Sequence, residues 1–467
     1  MVKANLFLLL AIPFITSTAV CQSNREAVTI SLKIDPSKKI QQLNGIGVNV
    51  NTRSWNGSEL EPALRVLLDT MKATLWRVIF ETVEKWEDVN DNNDPFSFNW
   101  QYYDSLYETP KFQKAWELIA YLNRHDIRKN LMVNFMGYIP KWMGEETIKP
   151  GMEDEYVEML CSFFYYARFR KHLSIGLISP TNESDWRKEG PKLDPQHYAG
   201  LLKKLIDRMD ALGMGDILYV GPDTADMKKG INDYIPELMK DPEIVSRMAH
   251  FGLHSYGGYY APVDSALKHS AYPASGFWIT EWNAWRDGLD DGIPGVYNYG
   301  FAAECVNHML DLLQHGASGL LVWEGYDSYY EHHAPSTFSY WGILAFDSAS
   351  KTYIPRKHLY AISQLSSHIE PGCWQVPDAI STDSLRIICF FNPASKKITV
   401  TGINRRKSSV SLRTSFEQLP PISHLAFSYT NEEFNHRNGG NISTRHNNAS
   451  VLIPPDCIFT LETVFLP

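Results

Sequence analysis

The sequence has few cysteines, and no spacing among them organises a fold. There are six in 467 residues, and loss of Cys21 with an N-terminal leader would leave five, an odd number that matches no metal-binding pattern. The two cysteines in helical patterns are expected to be buried thiols. The sequence leaves open whether two of Cys373, Cys389 and Cys457 form a disulfide. This count excludes a small domain held together by disulfides or by zinc.

Positive charge and long apolar runs are also scarce. The net charge of −9 argues against nucleic acid and anionic membranes as partners. The longest N-terminal apolar run, Leu6–Ile15, follows Lys3 and precedes small residues, which is typical of a signal peptide and too short to span a bilayer. We therefore predict cleavage near Cys21 and a secreted, periplasmic or cell-surface protein with no membrane span. A lipid anchor on Cys21 is disfavoured by the Val20 that precedes it.

The chain lacks a glycine-rich phosphate loop, internal repeats and a low-complexity linker. Instead, residues 44–349 alternate short apolar runs with amphipathic helical patterns. Eight such units predict an α/β fold, a (β/α)₈ TIM barrel. A doubly wound open sheet is the alternative, but Gly45-Ile46-Gly47 lies inside the first strand rather than after it. The predicted strands are Asn44–Asn51, Ala73–Glu81, Lys129–Gly137, Ile175–Glu183, Asp216–Asp223, His250–Gly257, Gly276–Asn283 and Gly319–Tyr326.

After residue 350 the pattern changes to short β-branched runs separated by turn residues. This predicts a C-terminal β-sandwich domain over residues 350–467. Residues 22–43 contain an apolar-polar alternation with no helix after it, so we expect this N-terminal strand segment to complete the sandwich. The Asn-, Gly- and His-rich stretch 428–448 is predicted to be an exposed loop. The chain thus divides into residues 1–21 (signal peptide), 22–43, 44–349 (barrel) and 350–467.

Two glutamates stand out because each closes a short apolar run. Glu183 closes the run that begins at Ile175, and Glu281 closes the run that begins at Gly276. Unpaired charges are rarely buried, so both carboxylates need an explanation. Barrel active sites form at the carboxyl ends of the strands. Two facing carboxylates there can hydrolyse glycosides, because one protonates the leaving oxygen while the other attacks the sugar carbon or activates water.

Further polar and aromatic residues near the same strand ends complete a candidate sugar site. Several also have a purely structural interpretation, such as an ion pair of Arg77 with Glu81, or a core position for His254 or Trp323. The acidic loop 287–291 is interpreted as solvated, and the three adjacent residues Glu331, His332 and His333 cannot all face one ion from a regular element, so neither a metal nor a cofactor is predicted. The candidate substrate-binding residues are Arg77, Trp142, Asn182, Trp186, His254, Tyr256, Trp285 and Trp323.

Three stretches resemble glycoside hydrolase family 30, a clan A family of glucosylceramidase-like, xylanase-like and β-1,6-glucanase-like enzymes. Gln41–Gly47 is similar to the start of the family's first barrel strand, and Pro140–Met143 to its third-strand loop. Tyr360–Gly372 looks like the family's junction with the sandwich. The resemblance covers most of the chain after the leader. It departs at Ser184, where a proline is common, and over residues 134–138.

The resemblance implies a retaining β-glycosidase that acts on β-linked oligo- or polysaccharides. Glu183, after an Asn near the end of the fourth strand, would be the acid/base, and Glu281 the nucleophile. Glu183 would need a pKa raised by burial and by the charge of Glu281, whereas Arg77 and Tyr256 would keep Glu281 ionised. Asn182 would bind the sugar 2-hydroxyl. A carbohydrate-binding protein without turnover and a transglycosylase remain as alternatives, and the sugar, the linkage and the oligomeric state stay open.

Overall fold

The computed structural model describes residues 28–81, 83–186, 188–256, 276–284, 298–328, 340–347 and 349–466. The first strand, β1 (Val28–Ile34), is followed by eight parallel strands that close into a barrel. All eight overlap the predicted runs, so the barrel prediction is confirmed. These strands are β2 (Gly45–Asn51), β3 (Leu75–Phe80), β4 (Leu131–Phe135), β5 (Leu177–Ser179), β6 (Leu218–Thr224), β7 (Met248–Ser255), β8 (Phe277–Trp282) and β9 (Ala317–Val322).

The barrel strands are apolar along their length because helices cover one face and the barrel interior covers the other. Every residue of β2 and β3 is buried. The strands approach so closely that a Cβ added at Gly47 would lie 1.7 Å from the carbonyl oxygen of Leu75. In the described residues up to the end of the barrel, the α-helices are Glu61–Asp69, Trp100–Tyr107, Pro110–Arg124, Glu153–Tyr165, Pro195–Ala211, Met227–Lys229, Ile235–Leu238, Pro242–Arg247 and Tyr299–Gln314.

Local sequence signals determine where two of the longer helices begin. Pro195 occupies the first turn of its helix, and the Asp194 side chain accepts a hydrogen bond from the backbone N–H of His197 at 2.8 Å. Asn298 caps the last barrel helix in the same way, through the N–H of Phe301 at 2.9 Å. Within the described part of the chain, no helix is both long and apolar enough to cross a membrane.

The C-terminal strands form a six-stranded sheet in the order β12-β13-β14-β19-β16-β17 and a three-stranded sheet in the order β1-β15-β18. Side chains from both sheets share one hydrophobic core. The predicted β-sandwich is therefore confirmed. Its strands, and the hairpin β10-β11 that precedes them, are β10 (Leu344–Asp347), β11 (Thr352–Pro355), β12 (Trp374–Thr382), β13 (Leu385–Phe391), β14 (Ile398–Asn404), β15 (Val410–Phe416), β16 (Ile422–Thr430), β17 (Arg437–Ser443), β18 (Asn448–Ile453) and β19 (Cys457–Phe465).

The N-terminal strand β1 belongs to the sandwich, as its alternating pattern predicts. It pairs in parallel with β15, from Val28 opposite Val410 to Ile34 opposite Phe416. The side chain of Ile34 is fully buried in the sandwich core. The chain therefore passes through the sandwich before it enters the barrel.

Direct contacts join the sandwich to the barrel. The helix Lys357–Ser366 packs against the barrel helix Tyr299–Gln314 on one side and against β16 and β19 on the other. Between β1 and β2, the Gln41 side-chain amide donates to the carbonyl oxygens of Leu313 and Ala317, at 3.1 Å each. The two parts of the chain therefore share a packed, hydrogen-bonded interface.

The prediction that residues 428–448 form a loop is wrong. This stretch is exposed, but Arg437–Ser443 forms the edge strand β17, whose one partner among the described strands is β16. Because nearly all of its side chains face solvent, the strand has no apolar alternation that the sequence could reveal.

No disulfide joins the three cysteines of the C-terminal domain, which answers the question that the sequence left open. Cys373, Cys389 and Cys457 are all buried free thiols. Two of them stand on different strands, where Cys389 is opposite Val376 and Cys457 is opposite Asn404. The two cysteines in helices, by contrast, are buried thiols as predicted.

Candidate active site

Arg77 is the centre of a polar network at the carboxyl ends of the barrel strands. Its side chain is fully buried on β3, and each terminal nitrogen has two partners. Nη1 donates to Glu281 Oε1 at 2.6 Å and to Asn49 Oδ1 at 2.9 Å. Nη2 donates to Asn182 Oδ1 at 2.6 Å and to Asp223 Oδ2 at 3.2 Å. Arg77 thus links four strand ends, and no contact between it and Glu81 is seen.

Glu183 lies four residues beyond the end of β5 rather than on the strand itself. Its backbone has φ +42°, a left-handed conformation that is unfavourable for a residue with a side chain. The backbone N–H donates to the carbonyl oxygen of Asp223 at 3.0 Å, which holds this turn in place. Burial, reinforced by the charge of Asp185, raises the pKa of Glu183 to about 8, against the opposing effect of Arg77. The raised pKa agrees with the expectation; the charges of Asp185 and Asp223 contribute to it, and Glu183 in turn raises the pKa of Glu281.

Glu281 is the fifth residue of β8 and is only 2% exposed. Its Oε1 faces Arg77, and its Oε2 accepts a hydrogen bond from the Tyr256 hydroxyl at 2.6 Å. Burial and the charge of Glu183 raise the pKa of Glu281, while His254, Arg77 and the Tyr256 hydrogen bond oppose that rise. The two groups expected from the sequence to favour the ionised carboxylate are thus in contact with it.

His254 lies between the two glutamates at the end of β7. Its Nδ1 is hydrogen-bonded to Glu183 Oε1 at 2.8 Å and lies 3.4 Å from Glu281 Oε2. Burial lowers the pKa of His254, so the ring is held neutral. Its Nε2 has no hydrogen-bond partner among the residues that the structure describes.

The two carboxylates lie close together. One oxygen of Glu183, one oxygen of Glu281 and a ring nitrogen of His254 are all within 4.8 Å of one another. This spacing suits two carboxyl groups acting on opposite sides of one bond. Asn182 stands next to them, and its Nδ2 lacks a partner within the described ranges, so it is a donor free to bind a ligand hydroxyl.

Sequence reasoning missed four polar residues of this network, Asn49, Ser179, Asp223 and Thr280. Asp223 accepts hydrogen bonds from Arg77, from Thr280 Oγ1 at 2.6 Å and from a serine hydroxyl on β5. Asn49 donates to the carbonyl oxygen of Thr280 at 2.9 Å, which fixes its orientation toward Arg77. Asp223 closes an apolar strand just as the two glutamates do, so the same signal would have found it.

The tryptophans predicted to stack on sugars lie in different surroundings. Trp186 is 59% exposed and leaves its ring open to a ligand. Trp323 is 5% exposed, within a small apolar cluster. Trp142 is half-buried against the core, and its indole N–H donates to the carbonyl oxygen of Glu87 at 2.8 Å. Trp285 lies outside the described residues, as do residues 287–291 and 331–333.

A second group of acids is buried beside Trp142. Burial and the charges of Asp91 and Glu158 raise the pKa of Glu87 to about 9. Burial and the charges of Asp91 and Glu155 likewise raise the pKa of Glu158 to about 8. Both glutamates are therefore protonated in the folded protein at neutral pH, whereas they ionise near pH 4.3 in an unfolded chain.

This difference predicts that these two glutamates destabilise the folded state as pH rises. Between about pH 5 and pH 8 they bind more protons in the folded state than in the unfolded state, so their contribution to the free energy of unfolding decreases with pH. Glu158→Gln, which cannot ionise, should flatten that slope and raise stability at pH 8, whereas Gln at the exposed Glu146 should change neither. Urea unfolding at several pH values measures the slopes. Parallel curves for wild type and Glu158→Gln would contradict the prediction.

Solved structures with the same fold include several glycosidases. A GH30 endoxylanase from Clostridium papyrosolvens C71 aligns with TM-score 0.70 at 15% identity, over 93% of this chain and 100% of that one. An endo-β-1,6-glucanase aligns with TM-score 0.68 at 15% identity, over 93% and 94%. A monomeric β-xylosidase from Caulobacter crescentus CB15 aligns with TM-score 0.61 at 13% identity, over 94% and 100%.

No protein-family model matches the sequence, and no curated protein matches it either. At identities near 15%, the similarity to solved structures concerns the fold. The resemblance to family 30 of clan A, which three sequence stretches indicate, is therefore confirmed at the level of the fold.

Proposed function

We propose that this chain is a secreted retaining β-glycosidase with Glu183 as acid/base and Glu281 as nucleophile. The observation that carries the proposal is the pair of carboxylate oxygens within 4.8 Å of each other at the mouth of the barrel. Retaining enzymes hold their carboxyl groups about 5–5.5 Å apart, whereas inverting enzymes need about 6.5–9.5 Å to admit a water. Secretion rests on the apolar run Leu6–Ile15.

The surroundings of each carboxylate favour its role. The pKa of about 8 keeps Glu183 protonated at neutral pH, ready to protonate the leaving oxygen. Arg77 and Tyr256 stabilise negative charge on Glu281, which attacks the anomeric carbon and forms a glycosyl-enzyme. Glu183, now ionised, takes a proton from water for the second step. The free Nδ2 of Asn182 would bind the 2-hydroxyl, and Trp186 would stack on a sugar beyond the cleaved bond.

The proposed role of Glu183 as acid predicts how the rate falls at alkaline pH, on the alkaline limb of the pH–rate profile. With a substrate whose leaving group needs protonation, kcat/KM should fall as pH rises through about 8, because Glu183 loses its proton there. With a substrate that carries a highly activated aryl leaving group, the first step should lack this limb. Initial rates between pH 5 and 10 measure both profiles, and identical limbs for the two substrates would contradict the acid role.

The proposal is tested on a panel of β-linked oligosaccharides and aryl β-glycosides, with product mapping. The panel spans xylose and glucose units and both 1,4 and 1,6 linkages. Hydrolysis with release of the β-anomer supports the proposal. Transfer to a sugar acceptor would favour a transglycosylase, and binding without any product would favour a carbohydrate-binding protein. Initial release of the α-anomer would exclude retention.

A further inference from the structure

Two carboxylates and one imidazole converge at the mouth of the barrel in a pattern that metal sites share. One oxygen of Glu183, one oxygen of Glu281 and a nitrogen of His254 form the only such group of three acidic, histidine or cysteine side chains found in the described residues. Carboxylate oxygen and neutral imidazole nitrogen are ligands that zinc binds in catalytic sites, with three protein ligands and one open position. The donor types are therefore those of a zinc site.

Two of the three distances between the donor atoms are close to those of a tetrahedral zinc site. Tetrahedral zinc, with bonds of about 2.0–2.1 Å, holds neighbouring ligand atoms about 3.3–3.4 Å apart. His254 Nδ1 lies 3.4 Å from Glu281 Oε2, which matches that separation without movement. The same nitrogen lies 2.8 Å from Glu183 Oε1, so this distance has to increase by about half an ångström, and the two carboxylate oxygens, which lie within 4.8 Å of each other, have to approach until one ion reaches both.

The neighbouring groups tolerate a cation at this position. Arg77 contacts Glu281 through Oε1, on the oxygen that the ion would not use. Tyr256 donates to Oε2, but a carboxylate oxygen has two lone pairs and accepts both partners. The ion replaces the proton held in the hydrogen bond between His254 and Glu183, and that proton leaves to solvent.

We propose that the catalytic pair and His254 form a reversible inhibitory site for Zn²⁺, with Cu²⁺ as the other ion that this donor set suits. The proposal rests on the proposed function, because inhibition follows from holding both carboxylates on one ion. While the ion is bound, Glu183 cannot deliver a proton and Glu281 cannot attack. Zinc therefore competes with the sugar.

The surroundings of His254 indicate an inhibitor rather than a resident cofactor. Metal-binding histidines usually donate their second ring N–H to another group, and loss of that contact weakens metal binding about 10–100-fold. His254 Nε2 has no such partner in the described part of the chain. The guanidinium of Arg77, 2.6 Å from Glu281, further opposes a permanent cation.

Zinc binding is measured directly, by calorimetric titration of the full chain with ZnCl₂ in a non-chelating buffer. One ion per chain is expected, with no comparable heat from MgCl₂. Glu183→Gln and His254→Asn should each weaken binding by about tenfold or more. His368→Asn is the matched control, since it removes a histidine whose partner, Glu462 at 2.9 Å, lies on β19 of the sandwich. Glu183→Gln is isosteric, so the test stands even if His254→Asn fails to fold.

Turnover is measured separately on the best substrate of the panel. Zinc should raise KM with little change in kcat, EDTA should restore the rate, and His368→Asn should respond as wild type does. Unchanged zinc affinity in Glu183→Gln, or loss of binding in His368→Asn, would overturn the site. Zinc bound at this site by a chain that cleaves no sugar would leave the site standing and reject the glycosidase proposal instead.

Discussion

Glu281→Gln is expected to lower kcat by about 10⁴-fold or more with every substrate, because no covalent intermediate can form without the nucleophile. Glu183→Gln should lose about 10²–10⁴-fold on substrates with poor leaving groups, and far less in the first step with activated aryl glycosides. The two losses differ because an activated leaving group needs no proton but still needs a nucleophile. Steady-state and single-turnover rates on both substrate types measure them, with the exposed Glu146→Gln as control.

Azide separates the two roles further. In Glu183→Ala the covalent glycosyl-enzyme still forms from an activated substrate, and a small anion can replace the water that lacks a base. The expected product is a β-glycosyl azide, formed faster as azide is added. An α-azide would mean single displacement, and equal losses for the two glutamine variants on activated substrates would reject separate roles.

Arg77→Met is expected to damage both stability and activity. It would leave Glu281 and Asp223 buried without their shared cation, and breaking a buried ion pair in this way costs about 3–5 kcal/mol. In whatever protein folds, kcat should fall by about 10²–10³-fold, since a group that stabilises charge at the reaction centre is gone. Chemical unfolding and turnover of the purified variant measure the two effects.

Arg77→Lys and Arg168→Met are the matched variants. A lysine keeps the charge but cannot reach four acceptors on four strands, so Arg77→Lys should retain most of the stability and still lose activity. Arg168 makes a two-point ion pair with Asp216 at the surface, and its removal should cost at most about 1 kcal/mol. Equal losses in stability from Arg77→Met and Arg168→Met would show that Arg77 does not hold the site together.

The barrel could be predicted because its strands leave a strong trace in the sequence. A strand that is buried on both faces has a continuous apolar sequence, and each of the strands β2 to β9 overlaps such an apolar run. The edge strand β17 leaves no such trace, because its side chains face solvent and its stability comes from backbone pairing with β16. Sequence patterns therefore reveal strands through burial, and miss those that are held by hydrogen bonds alone.

The same limit applies to the site. Glu183, Glu281, Arg77, His254 and Tyr256 could be proposed from their positions near strand ends, and the structure brings all five together. Which partners they choose could not be predicted, since that depends on side-chain direction across several strands. A tryptophan near a strand end gives equally little indication of whether its ring is buried like Trp323 or exposed like Trp186.

Because β1 pairs with β15, the sandwich can be completed only after β15 has been synthesised. Val28 and its partner Val410 are separated by 410 − 28 = 382 residues. At translation rates of about 5–20 residues per second, β1 waits about 20–75 s for its neighbour to be made. The barrel strands are all synthesised within that interval, so the barrel can close first. A chain that stops before β15 would carry a complete barrel and an unpaired β1, and such an unpaired strand is open to proteolysis and aggregation.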